Sequence, residues 1–183
     1  MKISEVLFKT QSIRDELKQS ADFEENRIDI KLTPVAPFQI GNEIKLIIIG
    51  QDPTIKNEKS RSKITSTLNL NKSGALKNYI YEICIGLGLN MENVYATNVF
   101  KYFYTIPPAQ TMQVLKVHLQ PNLELLKTEI ASFPKAKIIT LGEPVLQLLT
   151  TDKNLVKDYW DYNRKTKQWQ LQKKPCRRKQ AGT

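Results

Sequence analysis

The sequence predicts an α/β fold, a three-layer α/β/α sandwich built around a short central parallel sheet. Three short segments rich in β-branched residues carry this prediction: residues 45–49, 94–98 and 137–141. Such runs are typical of strands that are buried on both faces of a parallel sheet. Stretches with helical spacing separate them. The alternation of strand and helix favours parallel strands joined by helical crossovers.

The first 43 residues are a weakly patterned lead-in. Their apolar residues recur with the spacing of one amphipathic helix. These residues are Ile3, Val6, Leu7, Ile13 and Leu17. Pro34, Pro37 and Gly41 then break the chain just before the first predicted strand.

The segments that follow the first strand are predicted in turn. Residues 50–73 are polar and lack helical spacing, so we expect a long loop with at most a short element, and long loops are often functional. Helical spacing resumes over 74–89 and again over 110–132, where Pro121 either kinks the helix or starts a second one. Gly142 opens a further short helix that runs through Leu149.

The 183 residues suffice for one ordinary domain, which we divide into three regions. Residues 1–43 are the lead-in, 44–150 the core and 151–183 a basic C-terminal tail. The tail has ten basic and three acidic side chains, so +7 of the total charge of +10 lies there. A positive balance suggests polyanionic partners, although a basic tail can equally be a solvated chain end.

Several classes of protein are excluded. No apolar run approaches the roughly 18 residues that a membrane-spanning helix needs, and the first twenty residues lack the apolar stretch of a secretory signal. We therefore expect a cytoplasmic protein without a membrane partner. The two cysteines, Cys84 and Cys176, are too few for a disulfide framework or a four-cysteine metal site.

Candidate ligand-binding residues follow the predicted strands. Ligands bind at the carboxyl ends of parallel strands, and residues 50–54, Asn98 and residues 142–143 fall there. The most unusual is Asp52, because a carboxylate held between a turn glycine and a proline can face developing charge rigidly. A simple turn or helix cap is the alternative interpretation of the same residues.

Four segments, in order, carry a family resemblance. Residues 47–53, IIIGQDP, look like the first active-site motif of the uracil-DNA glycosylase superfamily. Residues 94–99 are similar to that superfamily's strand with the uracil-recognising asparagine. Residues 138–142 resemble its third strand and turn, and residues 120–123 match the usual proline of the preceding helix. The resemblance spans about residues 44–150.

The resemblance implies an enzyme of base-excision repair that hydrolyses the N-glycosidic bond of uracil in DNA. Asp52 would activate water and stabilise the cationic sugar. The amide of Asn98 would offer one donor and one acceptor to uracil, the reverse of what cytosine needs. Gln51 would contribute backbone contacts, and Gly50 and Pro53 would shape the motif. The resemblance implies no metal and no cofactor.

The implied partner is uracil-containing DNA, single- or double-stranded, bound by a monomer. The base would have to be flipped out of the strand, at a cost that is least for single-stranded DNA. Phosphate contacts would come from the loop after the first strand. The candidates are Lys56, Lys59, Arg61 and Lys63, although a solvated loop is the alternative.

The sequence departs from the family pattern at the base pocket. Thr54 and Ile55 stand where the best-known branch has Tyr and His, and that tyrosine excludes the methyl group of thymine. No aromatic residue lies in 54–73 to stack on the base, so Phe100 and Tyr102 become the candidates for that contact. Residues 102–104 could form a stacking platform or simply pack a loop.

A second departure concerns the last motif, a His-Pro-Ser segment that is absent here. The one histidine, His118, lies in the helical stretch before Pro121, where we expect a helix-surface or core residue. Two further hypotheses therefore accompany the enzyme. The chain could be a catalytically weak or inactive nucleic-acid-binding domain of the same fold, or a C-terminally truncated member of the family.

Overall fold

A computed structural model describes residues 1–20, 27–108, 112–150, 160–163 and 168–171. These ranges contain five α-helices and six strands, together with short 3₁₀ turns at Thr67–Asn69 and Met91–Asn93. The helices are α1 Ile3–Lys18, α2 Glu58–Arg61, α3 Ala75–Gly86, α4 Met112–Ala131 and α5 Glu143–Leu149. The strands are β1 Phe38–Gln39, β2 Leu46–Gly50, β3 Val94–Asn98, β4 Lys137–Thr140, β5 Trp160–Asn163 and β6 Gln168–Leu171.

Four of the strands form one sheet in the order β1-β3-β2-β4. Strand β2 is central and pairs in parallel with β3 and β4, as predicted. The sheet is nevertheless mixed, because β1 pairs with β3 in the antiparallel direction. The prediction of a purely parallel sheet is corrected on this point. A two-residue strand directly after Pro37 is too short to show any alternation in the sequence.

The core consists of two clusters that β2 separates. Successive side chains of a strand point to opposite faces, and Ile47 and Ile49 belong to the cluster that includes Leu115 and Leu126 of α4. On the other face, Leu46 and Ile48 pack with side chains of α3. The sheet is thus buried on both sides at its centre, which explains the continuous apolar run of β2.

Helix α3 meets the sheet through a narrow stripe. Ile80 and Cys84, one turn apart, are fully buried, whereas Leu76, Tyr79 and Leu87 are exposed. The spacing therefore located the helix but not its buried face. Helix α4 continues unbroken through Pro121.

Two regions outside the predicted core also carry structure. Strand β1 lies within residues that the sequence assigns to the lead-in, and the antiparallel pair β5–β6 lies within the predicted tail. The basic segment 173–179 lies outside the described residues. Among the helices that the structure describes, none has both the length and the apolar character to cross a membrane.

Candidate active site

The site lies where β2 and β3 end side by side. Gly50, the last residue of β2, is paired with Asn98, the last residue of β3. Two backbone hydrogen bonds extend this pairing, from the N–H of Val99 to the carbonyl of Gly50 and from the N–H of Phe100 to that of Gln51, each 2.9 Å long. The carbonyl of Gln51 therefore helps to join the two strand ends, and both strands deliver their next residues to the same place.

A cavity of about 480 Å³ opens at these strand ends. Asp52 and Pro53 line it from the loop after β2, and Asn98 lines it from β3. The remaining wall comes from the long loop and the first turn of α3. Its lining residues are Ile55, Ser60, Lys63, Ile64, Leu68, Asn69, Lys72 and Leu76. The structure thus brings the two principal predicted residues to one cavity.

Asp52 is held in a tight turn at the edge of this cavity. The N–H of Thr54 donates to Oδ1 of Asp52 over 2.8 Å, as expected for an aspartate that caps its own turn. Burial raises the pKa of Asp52 to about 6, and hydrogen bonds from Thr54 and the charge of Arg61 oppose that rise. A carboxyl group that titrates near neutral pH is suited to accept a proton from water.

Thr54 itself supports the loop. Its hydroxyl oxygen accepts a 2.8 Å hydrogen bond from the N–H of Tyr104, and it is absent from the cavity lining. The base contact by Thr54 stays a prediction; in the structure its side chain joins the loop after β2 to the loop after β3.

Asn98 presents an unsatisfied acceptor. The residue is 1% exposed, and its Oδ1 has no hydrogen-bond partner within the part of the chain that the structure describes. An unpaired buried acceptor costs about 1–3 kcal/mol, a cost that a donor on a bound ligand removes. The amide of Asn98 therefore keeps one unused acceptor, which lies against the backbone of Gly50 at the cavity wall.

Leu68 forms the wall next to Asn98. Its Cδ2 lies 3.2 Å from the position that a β-carbon on Gly50 would take. Leu68 and Asn69 both adopt the left-handed backbone conformation, with φ of 55° and 54°. A leucine in that conformation is strained by about 1–2 kcal/mol. Leu68 is not among the residues that the sequence predicted for the base pocket, and the one signal for it is the recurrence of aliphatic residues in an otherwise polar loop.

The aromatic candidates lie in the core. Phe100 and Tyr102 are 0% exposed and pack around Tyr104, with ring centroids 6.1 Å and 5.5 Å from it. Neither lines the cavity, so the expected base contact by Phe100 or Tyr102 is replaced by core packing. His118 is also fully buried, with Nδ1 3.1 Å from the Tyr104 hydroxyl oxygen, and burial lowers its pKa to about 4.

The basic residues of the loop divide into two groups. Arg61 is 3% exposed, and its guanidinium donates to the carbonyl oxygens of Ile55, Tyr104 and Thr105 over 2.8, 3.1 and 3.1 Å. Its expected phosphate contact is corrected, because these donors are occupied inside the protein.

The lysines remain at the surface. Lys56, Lys59 and Lys63 are exposed, and Lys63 lines the cavity. Lys72 also lines it, and its ammonium donates to the carbonyl of Lys63. Lys72 is not among the predicted phosphate contacts, and the hydrogen bond that brings it to Lys63 has no local signal in the sequence. In the described ranges, no three His, Cys, Asp or Glu side chains are grouped so that they could hold a metal ion.

Comparison with known proteins bears on these residues. A family model described as "Uracil DNA glycosylase superfamily" matches residues 38–176. The match begins at β1, includes every residue that lines the cavity, and extends beyond β6. A search of curated proteins found no match.

Proposed function

The chain belongs to the uracil DNA glycosylase superfamily, and from that membership we propose that it hydrolyses the N-glycosidic bond of uracil in DNA. The observation that carries the proposal is that Asn98, whose buried Oδ1 has no partner among the described residues, lines the same cavity as Asp52. Uracil offers an N–H flanked by carbonyl oxygens, which suits an amide that both accepts and donates. Cytosine presents the opposite pattern at the same edge and leaves buried polar groups unpaired.

The carboxylate of Asp52 acts on water. The water oxygen bonds to C1′ of the sugar while Asp52 accepts its proton, and the C1′–N1 bond breaks with its electron pair moving to the base. The negative carboxylate also stabilises the cationic character of the sugar in the transition state. The Nδ2 group of Asn98 donates to a carbonyl oxygen of the departing uracil anion.

DNA binding involves the surface lysines. Lys63 and Lys72 border the cavity, and Lys56 and Lys59 are exposed on the same loop. Phosphate contacts from these side chains hold the strand while the target base enters the cavity. The proposed partner is uracil-containing DNA, bound by a monomer.

The competing hypothesis is a binding module without catalysis. It is favoured by the burial of His118, the chain's one histidine, which lies in the core and does not line the cavity. Such a module binds DNA with a steep dependence on salt and releases no base.

Release of free uracil from a single-stranded oligonucleotide with one deoxyuridine separates these two functions. We expect release by the wild-type protein and its loss in Asp52→Asn and in Asn98→Ala, both of which should remain folded. A folded wild-type protein that releases no base from single- or double-stranded DNA, and none from other deaminated bases, would overturn the proposal. Salt-dependent DNA binding in that case would establish the binding module.

A further inference from the structure

A buried ion pair lies directly behind the recognition amide. Lys101 and Glu129 are 0% and 1% exposed, and Nζ of the lysine lies 2.5 Å from Oε1 of the glutamate. The proposed chemistry uses neither residue. Burial lowers the pKa of Lys101, and the charge of Glu129 opposes that shift.

Both charges are connected to the end of β3. Lys101 also donates to the main-chain carbonyl of Asn98 over 2.9 Å. The second oxygen of Glu129 accepts from the hydroxyls of Tyr95 and Thr97, over 2.6 and 2.8 Å. The carboxylate from α4 therefore binds two alternating side chains of the strand that delivers Asn98, and the lysine paired with it binds the last carbonyl of that strand.

The geometry places this network on the face opposite the amide. Side chains alternate along β3, so Tyr95 and Thr97 point towards α4 whereas Asn98 points to the face that carries Leu68. The main chain of Asn98 is thus fixed from one side of the sheet. Its side chain meets the bare backbone of Gly50 on the other side.

A structural role alone explains this arrangement poorly. Replacing a buried ion pair by apolar side chains of similar volume is often neutral or stabilising, because both charges must be removed from water. What an apolar pair cannot supply is a directional hydrogen bond to the carbonyl of Asn98. Recognition groups must be held within about 0.5 Å of their productive position, and such bonds provide that control.

We propose that Lys101 and Glu129 are positioning residues that orient the Asn98 amide for base recognition. The inference rests on the proposed function, since the ligand of the amide is the target base. The pair does not touch the substrate and acts through Asn98.

The test uses the double variant Lys101→Met/Glu129→Gln in the full chain. It leaves no lone buried charge and retains an acceptor for Tyr95 and Thr97. We expect kcat for uracil release to fall about a hundredfold with KM changed less than about threefold, because misplacement affects the chemical step. Introduced into Asn98→Ala, whose residual rate is measured in single turnovers at high enzyme concentration, the same pair of changes should cause no further loss. The single variant Lys101→Arg should retain more activity than the double variant, because arginine keeps a charged donor.

A matched control distinguishes positioning from general damage. Ile80→Val removes one buried methyl group from the cluster on the other face of the sheet, and it should leave kcat unchanged. An equal loss of activity in this control, or an additive loss in the Asn98→Ala background, would overturn the inference.

A second readout does not depend on activity. The side-chain NH₂ resonances of Asn98, assigned by their disappearance in Asn98→Ala, should be sharp in the wild type and broadened in the double variant. Unchanged resonances would overturn the positioning role even if the wild-type protein released uracil normally. Broadened resonances together with an inactive wild type would instead sustain the positioning role and reject the proposed function. Should the double variant fail to fold, Thr97→Val, which removes one hydrogen bond to Glu129, is measured in the same way, with the same expected result and the same overturning outcome.

Discussion

A β-carbon on Gly50 would lie 2.4 Å from Oδ1 of Asn98. The two residues are paired at the ends of adjacent parallel strands, so the amide occupies space that only a glycine leaves open. The glycine of the sequence motif therefore has a specific physical reason, which is close approach rather than an unusual backbone angle.

The first prediction follows from this contact. In Gly50→Ala the new methyl group must displace the Asn98 amide, and we expect uracil release to fall about a hundredfold with the fold retained. Steady-state kinetics and circular dichroism measure the two effects. Gly86→Ala is the matched control, because a β-carbon there meets no atom within 4 Å. Full activity in Gly50→Ala would contradict the interpretation.

The second prediction concerns the pH dependence of the reaction. The carboxyl of Asp52 must be ionised to accept a proton, and burial raises its pKa to about 6. We expect the single-turnover rate of uracil release to rise tenfold per pH unit below about 6 and to level off above it. A rate that stays constant from pH 4.5 to 7.5 would show that Asp52 is not the base.

The third prediction concerns the pH dependence of folding stability, which follows from the same raised pKa of Asp52. The folded-state pKa of about 6 exceeds the reference value of 3.8, so stability from this group is fully present below 3.8 and is lost as the pH rises through 6. The shift corresponds to about 3 kcal/mol at pH 7. The neutral variant Asp52→Asn should therefore be more stable than the wild type at pH 7.5, by up to that amount.

Urea denaturation at two pH values checks this prediction. The difference between Asp52→Asn and the wild type should largely disappear near pH 3, because the carboxyl is then mostly neutral in both the folded and the unfolded chain. If Asp52→Asn is instead less stable than the wild type at pH 7.5, the ionised carboxylate stabilises the fold by more than the free energy that its burial costs.

The fourth prediction compares a leucine that lines the cavity with a leucine in the core. Leu68 is half-buried and lines the cavity, whereas Leu70 is 0% exposed and belongs to the cluster below α3. Leu68→Ala should lower uracil release at least tenfold and change the free energy of unfolding by less than about 1 kcal/mol. Leu70→Ala should cost about 3 kcal/mol in stability with activity within threefold of the wild type at low temperature. If both variants lose activity and stability to the same extent, Leu68 does not contact the base.

The fifth prediction distinguishes the two kinds of basic residue in the loop. Arg61→Met leaves three carbonyl oxygens without their donor and should destabilise the fold by about 2–4 kcal/mol, with the salt dependence of DNA affinity unchanged. Lys63→Met should reduce the slope of log affinity against log salt by about one and leave stability unaltered. Binding titrations at several salt concentrations measure both. Lys45→Met, at the amino end of β2, is the control for a lysine remote from the cavity.

The strands whose ends form the site were predicted from the sequence more accurately than the loop residues that line the rest of the cavity. The runs at β2 and β3 predicted buried parallel strands because such strands are continuously apolar, and their carboxyl ends located Asp52 and Asn98. The third run also forms a parallel strand, β4, but its expected burial on both faces is corrected, since Ile138 is 49% exposed. Strand β1 was not foreseen, since two residues cannot display a period. Its antiparallel pairing with β3 depends on contacts distant in the chain.

The positions of the loop residues could not be predicted from the sequence for a different reason. Leu68 lines the cavity because Leu68 and Asn69 both adopt the left-handed backbone conformation. A leucine rarely adopts that conformation, so the sequence did not predict it. Arg61 looked like a surface cation because arginine in a polar loop normally is one. Its burial follows from carbonyl oxygens of a loop more than forty residues further along the chain, which no local pattern reveals.

The same arginine has a consequence for how the cavity meets its ligand. Together with the hydrogen bond between Thr54 and Tyr104, its guanidinium fastens the loop after β2 to the loop after β3 before any DNA arrives. The ordering entropy of that loop is then lost once, during folding, and not at each encounter. Under the proposed function, a flipped base therefore enters a cavity whose loop is already ordered, and the rate of capture should depend on how often a base leaves the stack.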